Sequence, residues 1–84
     1  MKTSHSIRAR LGQRVRFLRL QAGLSQEAFA EKCGLDRTYL SGVERGVRNP
    51  TLEVLYIIAV GLQIDLVTLF AFEGDTSSTS PVVR

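Results

Sequence analysis

A single cysteine, Cys33, and a single histidine, His5, are the only thiol and imidazole in this 84-residue chain. Cys33 has no second thiol to pair with, so an internal disulfide is excluded and a reducing, cytoplasmic setting fits better than secretion. The same shortage excludes a cysteine-based zinc finger. With one histidine, set in a polar N-terminal stretch, neither a metal site of several His or Cys ligands nor a catalytic triad can be built. Long apolar runs are missing as well. The opening MKTSHSIRAR lacks the apolar centre of a secretory signal, and the longest run, Val54 to Leu62, is interrupted by Gly61. It falls well short of the roughly 20 residues that span a bilayer. The expectation is a soluble, cytoplasmic, non-enzymatic protein with no cofactor, no metal and no membrane partner. Eighty-four residues with 44% hydrophobic content allow one core. Without staples such a core depends on well-packed helices or a partner subunit.

What the chain does have is positive charge, unevenly placed. Its formal net charge is +3. Residues 1–50 carry ten Lys or Arg against four acids, and residues 51–84 carry one against four. That asymmetry points the N-terminal part towards a polyanion and leaves the C-terminal part for another task. A solvated cationic face would have the same composition.

No stretch alternates with the period of a strand, and Gly and Pro fall at intervals that suit short helices, so the predicted class is all-α with five helices. Residues 1–6 read as a flexible N-terminal arm, 7–72 as the folded domain and 73–84 as a disordered tail. A first helix is predicted from Ile7 to Ala22, with Ile7, Leu11, Val15, Leu18 and Ala22 on one face before Gly23. Ser25 is a good N-cap for a second, Gln26 to Cys33, whose Phe29, Ala30 and Cys33 share a face and which Gly34 ends. Asp36 caps a third, running to about Arg45 with Leu40 and Val43 inward and Gly46 as its stop. Thr51 caps a fourth, reaching about Gly61 with a core stripe of Leu52, Leu55, Ile58 or Ala59, and Leu62. Asp65 caps a last short helix, Leu66 to Phe70. Cys33, on the inner face of the second helix, reads as a small buried apolar residue and not as a redox sensor.

Only Gly34, Leu35 and Asp36 separate the second and third helices, and so short a Gly-containing connection is a helix-turn-helix signature. In that motif the N-terminal part of the third helix enters the major groove, so Arg37 and Thr38 face base edges. Arg37 can donate two hydrogen bonds to guanine N7 and O6; its alternatives are a phosphate contact or a salt bridge to Asp36 or Glu44. Thr38 could bond a base or meet a thymine methyl, or simply pack. Ser41 is the next residue placed for base readout. Gly42 beside it costs the helix roughly 1 kcal/mol against Ala, so a packing or close-approach reason is expected there.

The run LSQEAFAEKCGLDRTYLSGVERGVRNPTLEVLYIIAVGLQIDLVTLF resembles the helix-turn-helix family of phage Cro and cI-type repressors. Within it, LDRTYLSGVERGVRNPTL resembles the controller proteins of bacterial restriction-modification systems. The resemblance rests on Gln26, Ala30, Gly34, Leu40, Glu44, Gly46 and Pro50 in register and covers about Ile7 to Phe70. It implies a compact lambda-repressor-like DNA-binding domain that regulates transcription. Gln26, in the first turn of the second helix, would then contact phosphate, its alternative being a solvated surface amide. Tyr39 would stack on the sugar-phosphate backbone or lie half-buried against the second helix. Arg45, Arg48 and Asn49 would run along the phosphates in the loop after the third helix. Glu44 would be structural, tying the third helix to the first through Arg14 or Arg19. The other arginines of the first helix cannot all face DNA and are expected to supply long-range field and internal ion pairs.

The fourth helix is apolar on faces a surface helix should keep polar: Tyr56, Ile57 and Val60 lie off the core stripe. Ile57, Val60, Ile64 and Val67 form one patch, which predicts a two-fold homodimer. The competing occupant is the C-terminal segment with Phe72. The implied function is a sequence-specific double-stranded DNA reader, a homodimer on a palindromic operator, with no small-molecule ligand. The alternative is an antitoxin or coactivator-like interaction module for which DNA is secondary.

Overall fold

The computed structural model describes the backbone of residues 2–72 and the side chains of residues 7–72; the tail expected to be disordered lies outside them. Among the described residues five helices follow one another: α1 (Lys2–Gln21), α2 (Gln26–Cys33), α3 (Arg37–Glu44), α4 (Leu52–Leu62) and α5 (Leu66–Leu69). Among the described residues there is no strand, and no helix is long and apolar enough to cross a membrane.

Four of the five starts are set by one side chain each. The Ser25 hydroxyl accepts from Ala28 N at 3.0 Å, Asp36 Oδ1 from Thr38 N at 3.3 Å, Thr51 Oγ1 from Val54 N at 3.2 Å and Asp65 Oδ1 from Thr68 N at 2.8 Å. Each satisfies an N–H that the first turn leaves without a partner. α1 begins at Lys2, five residues before the expected start at Ile7, so its backbone includes most of the stretch expected to be a free arm.

The ends are set partly by backbone conformation and partly by crowding. At Gly46 the chain takes φ +79°, and a Cβ would lie 2.9 Å from Ala9 Cα, so the turn after α3 is pressed against α1 and only glycine fits. α4 ends one residue later than expected, and its left-handed cap is Gln63 (φ 62°), not a glycine. Gly61 therefore lies within the helix. It is a buried residue inside α4, where a Cβ would lie 2.6 Å from Cys33 Sγ and 3.1 Å from Phe29 Cε1, so it lets α4 approach α2.

The core joins Leu11 and Val15 of α1, Phe29 and Ala30 of α2, Leu40 and Val43 of α3, Ile58 and Ala59 of α4, Leu69 of α5, and Phe72. α1 crosses α3 at Gly12, where an added Cβ would collide with Glu44 O. α3 spans eight residues, roughly 12 Å. It covers only the middle of the 20-residue α1, so the expected stripe runs out at both ends and Ile7 and Ala22 are exposed. Leu52, expected inward, is 66% exposed, because it opens α4 ahead of the turn that meets α2. Cys33 is half-buried; loss of solvation pushes its thiol pKa up, which suits a packing role.

Candidate nucleic-acid interface

The α2–α3 pair is locked to α1 from below by a buried ion pair. Arg19 (5% exposed) meets Glu44 (8%) with two hydrogen bonds, Nε to Oε2 at 2.6 Å and Nη2 to Oε1 at 2.9 Å. Its remaining Nη1 donates to Leu24 O at 2.9 Å in the turn before α2. One planar guanidinium thus holds the end of α3 and the approach to α2 in fixed relation to α1. The Glu44 hydrogen bond raises the Arg19 pKa further, so the guanidinium stays charged despite burial. Glu44 is structural, and the partner is Arg19 rather than Arg14. Arg14 instead donates from Nη2 to Thr68 O at 2.8 Å, tying α1 to α5. Arg10 lies over the Phe72 ring, 5.7 Å from its centroid.

Gln26 belongs to the same network: its Nε2 donates to Glu44 Oε1 at 3.0 Å. The side chain expected on phosphate therefore spends one amide hydrogen inside the protein. The second amide hydrogen, and the unpaired N–H groups of the first turn of α2, remain for an anion.

Arg37 and Thr38 stand exposed on the first turn of α3. Among the described residues Arg37 forms no ion pair with Asp36 or Glu44; Asp36 is engaged as the helix cap and Glu44 by Arg19. Ser41, one turn on, is half-buried, and its hydroxyl accepts a long 3.4 Å bond from Arg45 Nε. Tyr39 is half-buried, with the Arg48 guanidinium 5.7 Å from its ring centroid. Asn49 is exposed beside it. Arg37, Thr38, Tyr39, Ser41, Arg45, Arg48 and Asn49 thus belong to one continuous stretch of α3 and the loop leaving it. The Tyr39–Arg48 contact was not legible in the sequence, although the unexplained Gly42 between them was a signal.

On the opposite task, α4 carries the apolar face. Ile57 and Val60 are exposed, Val67 is 80% exposed, and Ile64 is half-buried against the core. Leu52, Tyr56, Ile57 and Leu66, with Glu53 at the rim, line a shallow apolar groove beside them. Leu52, Tyr56 and Leu66 extend the expected patch. Phe72 does not cover it: its ring packs at α1 near Arg10, Arg14 and Phe17.

Residues 15–69 match the family model described as helix-turn-helix. Control protein C.MunI from a Mycoplasma species is 44% identical over 68 residues, which are 80% of this chain and 92% of that protein. The restriction-modification controller protein C.AhdI from Aeromonas hydrophila has a crystal structure that superposes with a TM-score of 0.72 at 48% identity, over 74% of this chain and 94% of that one. The controller protein C.Esp1396I, solved as a tetramer in complex with its natural 35 base-pair operator, gives a TM-score of 0.71 at 39% identity, over 76% of this chain and 84% of that one.

Proposed function

Since this chain belongs to the helix-turn-helix family, we propose that it is a transcription regulator that binds a palindromic double-stranded operator as a homodimer, in the manner of the restriction-modification controllers it resembles. The observation that carries the reading is the exposed Arg37, without an ion pair among the described residues, at the start of a short helix whose base is fixed by the buried Arg19–Glu44 pair. A side chain that reads a base edge has to be free itself and mounted on a rigid element.

In this reading α3 lies in the major groove. Arg37 donates two hydrogen bonds to a guanine, and Thr38 and Ser41 contact neighbouring bases. Gln26, Tyr39, Arg45, Arg48 and Asn49 contact phosphates and fix register without reading sequence. Apolar residues Ile57, Val60, Ile64 and Val67, with Leu52, Tyr56 and Leu66, meet their copies across a two-fold axis. The axis sets the two α3 helices about 34 Å apart, one turn of DNA. The regulator works in the cytoplasm, on the nucleoid, and needs no cofactor. Selection of bound duplexes from a random DNA pool tests this. The expected product is an inverted repeat with a guanine in each half-site whose preference disappears in Arg37→Ala; recovery of unrelated sequences would overturn it.

A further inference from the structure

Gly42 stands in the middle of α3 (Arg37–Glu44), where helix propensity favours alanine. Unlike Gly12 and Gly46, which admit backbone of another segment, Gly42 has side chains of its own following loop as its nearest neighbours. A Cβ there would lie 2.7 Å from Arg48 Cγ, with Arg48 Nε and Val47 Cγ2 both at 3.5 Å. The loop is anchored at the same residue, since Val47 N donates to Gly42 O at 3.0 Å. The space left by the absent methyl is thus filled by the stem of Arg48 as it folds back over α3. Its guanidinium comes to rest 5.7 Å from the centroid of Tyr39, one turn earlier on the helix. Cγ is the second carbon of the stem, so a methyl at position 42 forces Arg48 into another rotamer and off the ring.

We propose that Gly42 is a positioning residue for DNA binding: its missing side chain seats Arg48 against Tyr39, turning a loop arginine into a fixed part of the α3 surface aimed at the DNA backbone. The inference rests on the function proposed above. A free arginine loses rotamer entropy when it grips phosphate, whereas a seated one has lost it already. Contact with the ring face holds the cation without using its N–H donors, which stay available to the phosphate.

The test is a double-mutant cycle of Gly42→Ala and Arg48→Ala, read on the duplex selected from the random pool and on a scrambled duplex of equal length. Gly42→Ala should leave the melting temperature within about 4 °C of the parent, because the gain in helix propensity is offset by the displaced Arg48 stem and its lost ring contact. It should nevertheless weaken binding to both duplexes by about three- to tenfold, part of one charge-assisted contact. In the Arg48→Ala background the same change should alter affinity less than twofold. Equal losses in the two backgrounds, no loss in the parent, or a melting temperature lowered by much more than about 4 °C, the mark of a fold-wide defect, would each overturn the proposal. A readout without DNA separates this inference from the reading beneath it. The Arg48 methylene protons should show an upfield ring-current shift in the free protein that Gly42→Ala abolishes, and its absence from the parent overturns the seat whatever the DNA does. A parent that binds selected and scrambled duplexes alike overturns the regulator and leaves the ring-current result to decide on Gly42.

Discussion

Replacing Arg19 by alanine should remove about half of the domain's folding free energy. Arg19 and Glu44 are 5% and 8% exposed, and the change removes the two hydrogen bonds at 2.6 and 2.9 Å together with the bond to Leu24 O. Glu44 is left buried with the Gln26 amide as its remaining side-chain donor. Breaking a buried pair by removing one partner costs about 3–5 kcal/mol, because the other charge stays desolvated. A domain of this size has about 5–10 kcal/mol in total, so half of its stability is at stake. With a urea slope of about 1 kcal/mol per molar, the midpoint should fall by roughly 3 M or more. Circular dichroism at 222 nm follows the transition, at one fixed protomer concentration since association contributes to stability. The control is Arg19→Met with Glu44→Leu, which removes both charges and should lie within about 2 kcal/mol of the parent. A loss below about 1 kcal/mol for Arg19→Ala, the value of an exposed pair, would refute the reasoning. So would a double variant as unstable as the single one.

Arg48→Ala should weaken selected and scrambled duplexes alike and lower the slope of log affinity against log salt by about one, measured by titration from 50 to 200 mM salt; an unchanged slope removes Arg48 from the phosphate. Ile57→Lys with Val60→Lys should give a folded monomer at micromolar concentration in the ultracentrifuge and bind the operator weaker by orders of magnitude, since charge at an apolar interface is costly to desolvate and a monomer loses the gain of two linked half-sites. A double variant that still sediments as a dimer places the interface elsewhere. Asp65 is held below its ordinary pKa of about 3.9 by accepting hydrogen bonds from Thr68. Its contribution is therefore complete above pH of about 4 and is lost as pH falls through the lower folded value. The urea midpoints of the parent and Asp65→Ala should converge on acidification from pH 6 to pH 2; curves that stay parallel would deny the cap its charge.

The amino-acid sequence by itself determined the class, the order of the helices and the place of Arg37 on the first turn of α3. Ser25, Asp36, Thr51 and Asp65 each act on an N–H two or three residues ahead, so their effect is local and survives any tertiary arrangement. Arg37 was legible for the same reason: the residue following a cap lies on the first turn, wherever the helix is later placed. What only the tertiary structure decided were choices between groups equivalent along the chain. Arg14 and Arg19 both lie on α1, and nothing local says which meets Glu44; the crossing of α1 and α3 at Gly12 gives it to Arg19 and leaves Arg14 to Thr68. The turn against α1 fixes Gly46 as the end of α3, whereas the approach of α2 makes Gly61 a packing residue inside α4. Leu52 fits the core stripe of α4 by periodicity and stays in solvent, since burial depends on how far the neighbouring helix reaches. Phe72 could have covered the α4 patch and instead packs at α1. Periodicity states which residues share a face; only the lengths and crossings of the partner helices state how much of that face is covered.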